Sequence, residues 1–252
     1  MPPLPNTIWP ELALLGTFLA FSCWEYLVPN VTYEKNRPWF YRLFWLQIGG
    51  VVLTTIIGWL ITDAYQHYSL IPLLKAYFAN SSPVFNGFIA YLLVTLINYW
   101  WHRLRHHNDL LWRLFHQIHH STHRLQTVTA LYAHPLDYAS TMFIINLVAY
   151  ALLGLNPESA AWAAAWVGIF ELWEHTNIRT PRWLGYMIVR PEMHRVHHEL
   201  DHHQKNYALP IWDMLFDTYE NSYRQVSCGF RENHESRVVE MLRFKDVHQR
   251  PQ

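Results

Sequence analysis

The chain is predicted to be an all-α membrane protein. Four to five transmembrane helices carry a cytoplasmic helical cap, and the cap holds a histidine-rich site for two metal ions. Three observations predict this. Five long runs are nearly free of charge. Aromatic residues make up 16% of the chain and charged residues only 15%, with 13 Trp and 15 Tyr of the kind that settle at membrane interfaces. The 17 histidines cluster at the ends of the runs rather than inside them. Mean hydropathy is only −0.05, because apolar sequence fills the first hundred residues while polar, histidine-rich sequence fills the end. The balanced charge, 19 basic against 19 acidic residues, excludes the basic stripe of a nucleic-acid binder.

The N-terminal MPPLPNTIWPE has no basic region, so no cleaved signal peptide is expected. Leu12 to Val28 is the first run, apolar except for Glu25, which must sit near an end or face protein. Cys23 lies within it and is expected to be a small buried hydrophobe; Cys23 and Cys228 make no disulfide framework. Pro29 closes the run, and a basic loop with Lys35, Arg37 and Arg42 follows. Leu43 to Thr62 has no charge and is the cleanest span. The stretch from Asp63 to Pro83, broken by Pro72, reads as a loop with an interfacial piece. Gly87 to Trp101 is short for a span of about 20 residues, so its helix should begin near Pro83 or continue past the membrane surface. Tyr138 to Leu155 is the fourth run. The turn Gly154-Leu155-Asn156-Pro157 leads into the fifth, Ser159 to Trp173, whose alanines favour close helix packing.

These runs divide a single domain, 1–252, into N-terminal membrane helices (1–82), a histidine-motif region (83–220) and a polar cytoplasmic tail (221–252). The basic loop between the first two runs sets the orientation, because positive residues stay inside. Alternating from there, the third run emerges on the cytoplasmic side at His102. The fourth and fifth form a hairpin that returns His175 to that side, where His194 to His198 also lie. Arg103, Arg105, Arg113 and Arg124 are expected to form a rim facing lipid headgroups.

The stretch from His102 to His120, HRLRHHNDLLWRLFHQIHH, holds the densest cluster, and HRVHH at His194 to His198 repeats its second half. In a helix, His102 and His106 share a face. His116, His119 and His120 also leave one face, from which they can converge on a metal. With His175, His194, His197 and His198 the candidates number nine, more than one four-coordinate zinc uses and suited to two ions. A structural zinc site would recruit cysteine, and a HExxH peptidase pattern is absent. Nitrogen ligands at an open-sided, redox-capable metal point to iron and O2. Of the other histidines, His107, His123, His202 and His203 are expected at solvent or headgroups, and His67, His234 and His248 to be incidental.

Six strings, in order, carry a resemblance: YWWHRLRH, LWRLFHQIHHS, TALYAHPLD, HTNI, HRVHHE and NYALPIWDMLFDTY, between Asn98 and Tyr219. The chain resembles the fatty acid hydroxylase and sterol desaturase superfamily. That resemblance implies an integral-membrane non-haem di-iron oxygenase in which the nine histidines bind two irons. It also makes Glu171, four residues before His175, a further ligand, a holder of water or a helix cap. His134 in AHPLD, Asn98 (where relatives often carry Asp) and Asn177 in EHTNI become neighbours of the ligands. The family's usual FGTY is FDTY at Phe216 to Tyr219, so a changed turn is expected.

The implied reaction is O2-dependent hydroxylation of an unactivated C–H bond in a lipid, with desaturation at the same histidines as the alternative. Electrons would come from a separate cytochrome b5- or ferredoxin-type donor, since no flavin, haem or ferredoxin motif is present. A metal transporter or storage protein is the rival from another class. It would place ligands along the spans, whereas here they cluster beyond the run ends. A dead oxygenase serving as a scaffold would be expected to lack some of the nine histidines, and none is missing.

Overall fold

The computed structural model describes residues 8–67, 70–200 and 204–248, without the side chains of 61–67. His202 and His203 lie outside the described residues, as does the side chain of His67. The long helices are α1 (Ile8–Leu27), α2 (Arg37–His67), α4 (Pro83–His107), α7 (Pro135–Asn146, continued by a π turn to Leu152) and α8 (Pro157–Glu174). Between and after them come short pieces: α3 (Pro72–Phe78), α5 (Asp109–Leu111), α6 (Gln117–His120), α9 (Pro191–His197), α10 (Pro210–Leu215) and α11 (Val238–Leu242). Among the described residues, extended pairing is limited to one antiparallel bridge between Glu199 and Cys228.

Proline starts six of these helices: α3, α4, α7, α8, α9 and α10 each carry one in the first turn. There the missing N–H costs nothing and the fixed φ suits the helix. Asn156 caps α8 by accepting from Ser159 N at 2.8 Å. Gly154 takes the left-handed φ of +64° in the preceding turn. The third run extends at both ends, from Pro83 to His107, and α2 continues past Thr62 to His67, so the first residues of the expected loop are helical.

Among the described residues, three stretches are long and apolar enough to cross a membrane: Arg37–Leu60, Pro83–His107 and Pro135–Leu152. Large apolar side chains on their outer faces stay exposed, among them Trp45, Val51 and Trp59 at 65%, 61% and 82%. A bilayer makes that favourable. The chain thus has the character of an integral membrane protein. Cys23 faces outward on α1 rather than being buried, because α1 covers the bundle with one side only.

Small residues set the helix spacing. A Cβ on Gly87 would stand 2.5 Å from Trp162 Cβ and 2.7 Å from Ala163 N, so α4 and α8 touch backbone to backbone. Gly168 of α8 receives Leu14 of α1, and Gly50 of α2 receives Tyr138 of α7. One core lies among α4, α7 and α8 (Ala90, Val94, Ile145, Val148, Ala163). A second, in the cap, gathers Trp39, Trp112, Ile118, Tyr132, Phe230 and Met241.

That second core changes the reading of the tail. Phe230, Val238, Met241 and Val247 pack into it, and Gln117 bonds Lys245 O and Val247 N. His123 is held by Phe230 O and Glu235, and His248 is buried against Phe230. His248 is therefore not incidental, because the C-terminal segment folds back onto this core, whereas His123 keeps 43% of its side chain exposed, as expected of a residue at solvent. The arginine rim is corrected in the same way. Arg105 and Arg124 are buried; Arg124 donates to Glu34 O and lies over Trp39. Glu25 does face protein: its Oε2 accepts from Thr127 N, Thr127 Oγ1 and Asn177 N.

Candidate metal centre

Where α4 ends, two buried groups of imidazoles lie side by side. His102, His106, His116, His120 and His197 form one; His119, His175, His194 and His198 form the other. Within each, one ring nitrogen per residue lies within 4.8 Å of all the rest. All nine histidines singled out by spacing are therefore gathered, though not by motif. His116 and His120 turn to the larger group and His119 to the smaller. The later motif is crossed: His194 and His198 join the smaller group and His197 the larger. The expectation of one shared face is corrected by geometry. Positions i+3 and i+4 stand about 100° apart around a helix, so a helix between two centres serves both. A π turn at Trp112–His116 widens the helix where His116 leaves it.

Hydrogen bonds fix the tautomers. The Nδ1–H groups of His102, His119, His175 and His197 donate to the carbonyls of Tyr207 (2.7 Å), Tyr132 (3.2 Å), Glu171 (2.7 Å) and Lys205 (2.7 Å). Each of these four rings then carries its lone pair on Nε2. Yet Nε2 of His119 and Nε2 of His175 approach to 3.2 Å. Two acceptors so close repel each other unless a cation lies between them. That pair fits a metal in the smaller group, and the five buried imidazoles gathered beside it are a donor set that fits another. His116 Nδ1 lies between Asp137 Oδ2 at 3.0 Å and the donor Arg105 Nη1 at 3.1 Å.

Burial keeps the rings in the neutral, metal-binding form. It holds His116, His119, His194 and His198 well below the ordinary histidine pKa, and neighbouring imidazoles add to the effect. His175 is lowered to about 4 and His197 to about 3, again chiefly by burial.

Three carboxylates that spacing did not reveal brace the centre. Asp137 bridges His116 and the buried Arg105. Asp213 accepts from Tyr207 N, Ala208 N and Thr218 Oγ1, and so fixes the loop whose carbonyl orients His102; burial raises its pKa to about 7. Glu174 Oε1 lies 3.5 Å from His194 Nδ1. The usable signal was a carboxylate inside an apolar stretch, which needs a buried partner.

The remaining candidates separate. Glu171 forms a third group with Glu174 and His175, and its backbone carbonyl accepts from the His175 ring. His134 caps α7, its Nδ1 accepting from Leu136 N at 3.0 Å. Asn177 holds the Val31 backbone through both ends of its carboxamide. Among the described residues no hydrogen bond joins Asn98 to a histidine, and its buried Oδ1 has no partner. Asp217 adopts φ +59°, the left-handed region glycine takes readily and Asp tolerates.

A cavity of about 770 Å³ opens beside the imidazoles between α1, α4, α7 and α8. His102, His116, His119 and His194 lie at one end. Leu15, Phe18, Met142, Ile145, Ala164 and Phe170 are among its apolar lining.

Residues 87–218, just over half of the chain, match the family model described as fatty acid hydroxylase. The chain is 33% identical over 146 residues to human alkylglycerol monooxygenase, covering 56% of this chain and 32% of that one. It is 36% identical over 134 residues to the ornithine lipid hydroxylase OlsE of Rhizobium tropici, covering 50% and 39%. With the sphingolipid C4-hydroxylase of Schizosaccharomyces pombe it shares 28% over 142 residues, covering 54% and 48%. The matches thus span from a third to half of these relatives' length. No solved structure matches the chain.

Proposed function

Because the chain belongs to the fatty acid hydroxylase family, we propose that it is a membrane-bound, O2-dependent di-iron oxygenase that hydroxylates an unactivated C–H bond of a lipid. The observation that carries this reading is the facing of the lone pairs of His119 and His175, which a bound cation relieves, beside a second group of five gathered imidazoles. His102, His106, His116, His120 and His197 would hold one iron, and His119, His175, His194 and His198 the other. Bound iron supplies the activation of O2 that lets an aliphatic C–H bond be oxidised.

The chain's own residues do the rest. Backbone carbonyls and Asp137 hold the imidazoles in orientation. The cavity takes the alkyl chain and excludes water from it. The helices α1, α2, α4, α7 and α8 would supply four to five spans, with the imidazoles on the cytoplasmic side, within reach of a separate cytochrome b5- or ferredoxin-type electron donor. Desaturation would use the same ligands; hydroxylation is favoured because the relatives named above are hydroxylases and a monooxygenase. Metal transport would need ligands along the spans, whereas both groups gather where α4 and α8 end.

Iron analysis with Mössbauer spectroscopy of anaerobically purified protein should report about two irons per chain, as a paired site requires. One zinc alone in every preparation would sink the di-iron assignment. Lipid profiles of a deletion strain and its complemented partner, grown under oxygen-18-labelled O2, should differ by one labelled oxygen. A pair differing by two hydrogens would indicate desaturation instead.

A further inference from the structure

The cavity is polar at one end and apolar along its length. From Glu174 back to Ala161 it follows α8 for about 20 Å, at 1.5 Å per residue. The α8 wall between them includes Ala164, Ala165 and Gly168. At the imidazole end two helices each add a polar side chain one turn before a histidine. Asn98 precedes His102 on α4, and Glu171 precedes His175 at the end of α8. The two differ in one respect. Glu171 belongs to a group with Glu174 and His175. The Asn98 carboxamide has no hydrogen bond to any described residue, and its Oδ1 is buried. A buried carboxamide oxygen without a partner is costly to keep, and a substrate entering the cavity would supply one.

We propose that Asn98 is a specificity-determining residue whose carboxamide hydrogen-bonds a hydroxyl or amide N–H of the lipid. The bond holds the neighbouring carbon beside His102 while the alkyl chain runs along α8 toward Ala161. Glu171 and Glu174 at the same end offer further carboxyl oxygens to a donor group. The substrate class is therefore a lipid with a hydrogen-bond donor next to the oxidised carbon, and oxidation occurs at the polar end of the chain. This inference rests on the lipid-oxidation reading above.

Binding tests it without any metal. Hexadecan-1-ol, 1-methoxyhexadecane and heptadecane are titrated into purified protein in detergent, and affinity is read from the rise in unfolding temperature. The expected result is an alcohol-to-ether affinity ratio that falls roughly two- to tenfold in Asn98→Leu, the range one net hydrogen bond supplies. In Asn98→Ser, whose shorter side chain reaches less far, the ratio falls partway. Comparing ratios removes the differing solubility of the probes, and the serine variant carries the test if the leucine variant does not fold. An unchanged ratio in both variants, or equal binding of alcohol and ether by the wild type, overturns the role of Asn98 and leaves the lipid reading standing. If none of the three probes binds, the lipid reading fails as well.

Discussion

The Nδ1 atom of His116 lies 3.0 Å from Oδ2 of Asp137, and the same carboxylate pairs with the buried guanidinium of Arg105. One carboxylate thus orients a ring of the larger imidazole group and neutralises a cation with almost no contact with solvent. Asp137→Asn keeps the shape but removes the charge. Loss of a carboxylate behind a ligand histidine costs about 10–100-fold in metal affinity. Removing one partner of a buried pair costs about 3–5 kcal/mol of stability. The variant should release metal to a chelator earlier than wild type and unfold at a lower temperature. Wild-type retention of metal would show that Asp137 serves Arg105 alone.

The crossed arrangement of the two HxxHH motifs makes a stoichiometric prediction. His119→Ala combined with His198→Ala removes two members of the smaller group and should abolish one metal equivalent, leaving the other. His119→Ala combined with His120→Ala lies within a single motif, yet damages both groups and should deplete both equivalents. Metal content by mass spectrometry, with circular dichroism to confirm helix content, separates the two cases. Equal loss in the two double variants would contradict the crossing.

Hydropathy and proline made the long helices legible in the sequence, to within a few residues, because spans are set by length and apolar content alone. The nine imidazoles were legible as a set because their spacing recurs. Their division between two groups was not, since it depends on how α6 and α9 lie between the centres, and no local pattern records that. Arg105 and Arg124 read as surface cations because their partners, Asp137 and Glu34 O, come from segments 32 and 90 residues away in the chain. The tail misled for the reverse reason: Phe230, Met241 and Val247 are too widely spaced to form a run, yet they converge on one core.

Acid should destabilise the metal-free protein. Burial lowers the pKa of His175 to about 4 and of His197 to about 3, against about 6.5 in the unfolded chain. The unfolded state therefore binds more protons below 6.5, and stability falls as pH falls. The contribution is complete above about pH 6.5 and is lost progressively down to the folded values. Each such histidine adds up to about 1.4 kcal/mol per pH unit within that window. The unfolding temperature of chelator-treated protein should drop steeply between pH 7 and pH 5. A flat profile there would mean that the imidazoles are not held neutral.

The folded-back C-terminal segment should be needed for the cap. Met241 is fully buried beside Trp112 and Ile118, and Met→Ala at such a site costs about 2–5 kcal/mol. Because Gln117, between His116 and the pair His119–His120, bonds Lys245 O and Val247 N, loosening this segment also frees the helix that carries three imidazoles. Met241→Ala should lower both the unfolding temperature and the metal retained after dialysis. A fall in the first without the second would confine the segment to a structural role.

Gly87 tests whether the distance between α4 and α8 sets the centre. These helices deliver His102 and His106 to one group and His175 to the other, and they meet where Gly87 faces Trp162 and Ala163. A methyl there would clash with backbone, which cannot swing aside as a side-chain tip can. Gly87→Ala must therefore push the helices apart, at about 1–3 kcal/mol for overpacking. Its gain in helix propensity, about 1 kcal/mol, offsets only part of that. Gly16 of α1 is the control, since a Cβ there meets nothing within 4 Å, so Gly16→Ala should be neutral or stabilising. The expected outcome is a lower unfolding temperature for Gly87→Ala and an equal or higher one for Gly16→Ala. The reverse order would show that the α4–α8 contact yields at little cost and that the imidazoles are positioned by the cap alone.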